Sequence, residues 1–118
     1  MILTDRIHPL GYLLAQEINL KELESNTAPI FKLKEGTEVI SCSVEILEKS
    51  TQAGSIDLGI TSDTDFFLND IDLTQSKTYK SSVETTLKDD TDLTIETTAR
   101  EGIIKVRLLY FTPGTIYA

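Results

Sequence analysis

The side chains able to do chemistry are few, and their spacing limits what they can do. His8 is the single histidine. A Ser-His-Asp or Cys-His set would have to use it, because no other side chain titrates near neutral pH in its ordinary state. It stands before Pro9 with no Gly-x-Ser-x-Gly elbow beside it, which reads as a residue of a terminal segment. Cys42 is the single cysteine, so an intramolecular disulfide and a Cys-based zinc cage are both ruled out. Asp63-Thr64-Asp65 and Asn69-Asp70-Ile71-Asp72 offer oxygens for Ca²⁺ but lack the spacing, central Gly and closing Glu of a calcium loop. Capping and turn formation account for them. Gly54 and Gly59 belong to no phosphate-binding loop, and Lys77, Lys80 and Lys88 form no basic patch with interleaved aromatics. A pair of carboxylates for glycoside hydrolysis is a three-dimensional matter that spacing leaves open. The chain has no Trp, however, so a common sugar-stacking platform is missing. The sequence therefore predicts no catalytic residue, no cofactor, no metal site and no enzyme.

Composition narrows the partners. In 118 residues, 11 Lys+Arg stand against 19 Asp+Glu, a net charge of −8. Nucleic acids and anionic membranes select for clustered cations that displace counterions. Here the cations are scattered, so neither is an expected partner. The length fits one domain, residues 1–118, with a core that needs no staples. No apolar run approaches the ~20 residues of a membrane span. Met1–Arg6 carries an acid early and no long apolar stretch follows, so no signal peptide is expected and synthesis is expected in a cytoplasm.

The elements that must position these residues are strands. Thr and Ile supply 16 and 13 residues against five Ala, and branched side chains suit a pleated surface better than a helix. Glu38–Glu48 sets Ile40, Cys42, Val44 and Ile46 on one face and Ser41, Ser43 and Glu45 on the other. Pro29–Lys34 alternates before it, with Gly36 in the intervening turn at a position that commonly needs φ > 0. Ser55–Ile60 aligns Ile56, Leu58 and Ile60. Ile103–Phe111 aligns Ile104, Val106, Leu108 and Tyr110, and a strand through Leu93–Thr98 is expected to form a hairpin with it through Ala99–Gly102. Weaker strands are expected in Tyr12–Leu23 and Tyr79–Leu87. One short helical turn is expected near Asp63–Leu68, where Ser62 offers a cap oxygen. Seven or eight short strands predict an all-β, antiparallel β-sandwich, with a jelly roll as one form of it.

Three passages together carry a resemblance: Phe31–Thr37 leading into Val39–Leu47, then Ser55–Leu68, then Gly102–Phe111. Their order resembles the small virion structural proteins of tailed phages, notably capsid decoration or cement proteins. The resemblance implies a non-enzymatic β-sandwich on the outside of an icosahedral shell, often a homotrimer, stabilising the capsid by clamping neighbouring subunits of the major capsid protein. It carries over no catalytic residue. Residues 1–14 and 112–118 are expected to be terminal arms. Their apolar residues Ile2, Leu3, Ile7, Leu10, Tyr12, Ile116 and Tyr117 are the candidate oligomer or capsid contacts, because exposed apolar groups mark partner surfaces. Other readings are a different virion part, such as a head–tail connector or tail protein, and a non-viral carbohydrate- or protein-binding module.

Overall fold

The computed structural model describes residues 11–112. These residues run through nine strands: β1 (Gly11–Asn19), β2 (Thr27–Leu33), β3 (Glu38–Glu48), β4 (Ser55–Ile60), β5 (Asp63–Asp72), β6 (Thr78–Lys80), β7 (Thr85–Thr86), β8 (Thr91–Thr97) and β9 (Ile103–Phe111). One sheet has the order β1-β9-β3-β6, with β7 also pairing to β3; the other has β2-β8-β4-β5. Every pairing is antiparallel. With the two-residue β7 set aside, these are the two four-stranded sheets of a jelly roll.

Alternation builds the core between the sheets. β3 turns Val39, Cys42, Val44 and Ile46 inward, and β9 turns in Ile104, Val106, Leu108 and Tyr110. They face Ile56 and Leu58 of β4 and Leu93 and Ile95 of β8. Full burial of such a side chain contributes roughly 1.5–3 kcal/mol. A bulge between Val39 and Ser41 shifts the parity, so Val39 lies deeper than Ile40, which the simple alternation of β3 places inside. At one end Phe31, Tyr110 and Tyr12 form an aromatic row between the sheets, with ring centroids 5.8 and 5.5 Å apart. Gly36 has φ 86° in the β2–β3 turn, the left-handed conformation expected there.

Two expectations fail. β8 and β9 form no hairpin, since β8 pairs with β2 and β4 while β9 pairs with β1 and β3. Their connection crosses between sheets. Ala99 is buried, its N–H and C=O both held by Thr97 Oγ1, where a tight turn would leave it in water. Residues Asp63–Leu68 form no helical turn but open strand β5. They follow a two-residue turn, Thr61-Ser62, that folds them back onto β4, and ladder pairing displaces the local cap. Among the described residues the one short helix is a 3₁₀ turn at Leu20–Glu22, where Asn19 Oδ1 accepts from Lys21 N–H.

β5 is irregular for a packing reason. Leu58 pairs with Leu68 and Ile60 with Asp63, so one residue of β4, Gly59, opposes Thr64–Phe67. The surplus backbone lies against Gly59, where a Cβ would fall on the Asp63 and Thr64 carbonyls. Only glycine fits there.

Candidate interaction surface

The groups most capable of chemistry are occupied structurally. Cys42 is buried, and desolvation pushes its thiol up to about 11 against a smaller opposing hydrogen bond with Ser81. A thiol in that state is a poor nucleophile at neutral pH. Asp72 Oδ1 accepts from the Thr74 hydroxyl at 2.6 Å and N–H at 2.8 Å, which holds its carboxyl below the ordinary value. Glu101 Oε1 does the same for Thr51 at 2.5 and 2.9 Å, with the same effect. Asp57 Oδ1 accepts from the N–H of Asp70, which stands at φ 54°. Asp65 is pushed upward by its hydrogen bond with Asp63 and by that neighbour's charge. Among the described residues no three of His, Cys, Asp and Glu come together in a way that could hold a metal ion.

A cleft of about 570 Å³ opens at one end of the sandwich between the β4–β5 turn (Thr61, Ser62) and residues 85–91, with Phe66 and Leu87 in its wall. Its polar groups tie loops together. Thr61 N–H donates to Thr91 Oγ1, Asp92 N–H to Thr61 Oγ1, and Glu35 N–H to Asp90 Oδ1.

The outer faces of the sheets differ. On the β1-β9-β3-β6 sheet the ladder aligns Leu13 with Leu109 and Ser41, then Ala15 with Arg107, Ser43 and Lys80, then Glu17 with Lys105, Glu45 and Thr78. Leu13 is 65% exposed and Leu109 36%. Arg107 Nη2 meets Glu45 Oε1 at 2.8 Å. On the other sheet Asp57 stands directly opposite Glu96, Asp92 opposite Lys32, and Asp63, Asp65 and Asp70 are exposed along β5. Thr64 Oγ1 donates to Glu96 Oε2 at 2.6 Å.

The sheet edges differ as well. β2 carries Pro29, Lys32 and a bulge, β5 carries its irregularity and four Asp, and β6 and β7 are three and two residues long. Such features stop an edge strand from recruiting another chain. β1 has none of them. It pairs with β9 without a break from Gly11↔Phe111 to Asn19↔Ile103, and its one charged residue is Glu17.

Of the contacts expected from sequence, Tyr12 lies on this edge strand, 42% exposed and stacked on Tyr110. Ile2, Leu3, Ile7, Leu10, Ile116 and Tyr117, like His8, lie outside the described residues. Leu13 and Leu109 went unrecognised as a pair because only the β1–β9 register brings them together.

The architecture is that of small β chains present in phage capsid structures. A chain of the acidic stable capsid structure of Helicobacter pylori bacteriophage KHP30 superposes with TM-score 0.79 at 21% identity, covering 98% of each chain. A chain of the cyanophage Pam1 capsid asymmetric unit superposes with TM-score 0.63 at 13% identity, covering 88% of this chain and 84% of that one. No protein-family model matches the sequence, and no curated protein does.

Proposed function

We propose that this chain is a non-enzymatic virion structural protein that decorates the outside of an icosahedral phage capsid and stabilises it by bridging neighbouring major capsid subunits. The observation that carries the reading is the end-to-end likeness to a chain of the KHP30 capsid. The functional groups agree with it, since the buried thiol and the hydrogen-bonded carboxylates hold the fold rather than converge on a cleft. In this reading the protein works as a homotrimer, its partner is the major capsid protein, and it needs no nucleic acid, membrane or cofactor. The terminal residues Ile2, Leu3, Ile7, Leu10, Tyr12, Ile116 and Tyr117 supply the contacts between copies and to the shell.

The mechanism is mass action. A protein that binds the assembled lattice better than separate subunits stabilises the lattice by RT ln(1 + [L]/Kd), about 2.7 kcal/mol at a hundredfold excess over Kd. The test is to add purified protein to capsids assembled without it, then measure co-sedimentation and the temperature of shell disruption. Saturable binding with a raised disruption temperature is expected. Failure to bind shells of its own phage, in the presence of intact folded protein, overturns the reading.

A further inference from the structure

The unprotected edge of β1 has a match elsewhere in the chain. Residues 1–8, Met-Ile-Leu-Thr-Asp-Arg-Ile-His, repeat the pattern of residues 12–19, Tyr-Leu-Leu-Ala-Gln-Glu-Ile-Asn, at an offset of eleven. Leu3 corresponds to Leu14 and Ile7 to Ile18, each the same residue. Ile2 corresponds to Leu13, and Arg6 to Glu17 with opposite charge. Two strands laid side by side in parallel at this offset set apolar beside apolar on both faces. They also put a cation beside the one charge that β1 carries.

We propose that residues 1–8 of one copy add to β1 of a neighbouring copy as a parallel strand in that register. The outward row becomes Ile2–Leu13, Thr4–Ala15 and Arg6–Glu17, which covers the most exposed leucine of the described chain. The inward row becomes Leu3–Leu14, Asp5–Gln16 and Ile7–Ile18, two apolar pairs against the core with a polar pair between them. A copy cannot serve itself in this way. Parallel neighbours need a connection of about a dozen residues, and only Pro9, Leu10 and Gly11 separate residue 8 from residue 12. Pro9 lacks an N–H and marks the end of the added strand. Charge favours the same geometry, because the acid-rich face belongs to the other sheet and Arg6 offsets Glu17 at the junction. Passed from each copy to the next, the exchange is a head-to-tail contact, which makes a ring of identical subunits where the rotation closes and a filament where it does not. It stands without reference to capsid binding.

Light scattering coupled to size exclusion tests it on the full chain. The wild-type protein is expected at a multiple of 13.1 kDa. Ala15→Lys on the edge, and Ile7→Asp or Thr4→Pro in the arm, are each expected to weaken association at least tenfold while thermal unfolding of the single copy stays cooperative. Arg6→Glu and Glu17→Arg each weaken association about two- to five-fold. The double reversal restores it, which a general disturbance of the edge would not do. A one-copy mass for the wild-type protein overturns the proposal. So does an oligomer that dissolves with Ala15→Lys but withstands both Ile7→Asp and Thr4→Pro, since the edge strands would then be pairing directly. Oligomers that behave as expected yet ignore capsids leave this inference standing and remove the proposed function.

Discussion

The two outer faces of this sandwich are made by the same backbone geometry and carry opposite surfaces. On the β2-β8-β4-β5 sheet, Asp57, Asp92 and Glu96, with the acids of β5, have Lys32 as their single cross-strand cation. On the β1-β9-β3-β6 sheet, Lys80, Lys105 and Arg107 nearly balance Glu17, Glu38, Glu45 and Glu48, and two leucines stand in water beside them. A net charge of −8 is therefore unevenly spread, and most of the repulsion between copies is confined to one side. The acidic face resists association. The mixed face, next to the β1 edge, carries little of that repulsion. Composition reports only the sum, so a single net charge concealed two unlike surfaces.

The sharpest way to break the contrast is at Gly59, beneath the β5 irregularity that shapes the acidic face. Gly59→Ala pushes a methyl into the Asp63 and Thr64 carbonyls and is expected to cost about 2–4 kcal/mol, read as a fall in the urea midpoint. An unchanged midpoint would mean that this backbone moves freely and does not shape that face. Next in size is Leu109→Asp on the mixed face. Unfolding stability should stay within about 0.5 kcal/mol, while binding to shells drops about tenfold or more, as for a buried interface anchor. Retained binding would mean that shell contacts, if made by the terminal residues, do not extend across this face.

Smaller effects sharpen the acidic side. Asp57→Asn keeps an oxygen for the Asp70 N–H and removes the like charge opposite Glu96, so the protein should gain about 0.2–1 kcal/mol at neutral pH. Glu101 carries a pH dependence of its own. Its folded carboxyl is held below the ordinary value, so the stability it contributes is present above the unfolded value and lost as pH falls through the folded one. Glu101→Gln should flatten that part of the acid limb of a thermal-midpoint profile. Asp65 is raised by Asp63, so Asp65→Asn should lift the midpoint slightly at pH 7 and leave it unchanged in acid.

Sequence reading found the strands where burial and alternation coincide. The bounds of β3, β4 and β9 and most of their inward residues follow from period two with Gly or polar turns at the ends. What it missed was partnership. Leu93 and Ile95 announce an inward face but not which sheet it belongs to, so β8 was joined to β9 when the chain crosses instead. The surplus residues of β5 were unreadable because Gly59, which makes room for them, looks like any glycine in a strand. For the candidate surface, Tyr12 was legible as an apolar residue near a terminus. The Leu13–Leu109 pair needed a register that joins the two ends of the chain.

That same register has a consequence for how the protein is made. β9, the last strand among the described residues, lies between β1 and β3, so the first sheet has no centre until β9 is available. β4 and β5 alone join neighbours in sequence by a tight turn, and nearly all other pairing is long-range. Topologies of this kind close slowly, because large loops must be ordered before their contacts reward it. A nascent chain leaving the ribosome would therefore hold β1 and β3 without their common neighbour until β9 has emerged.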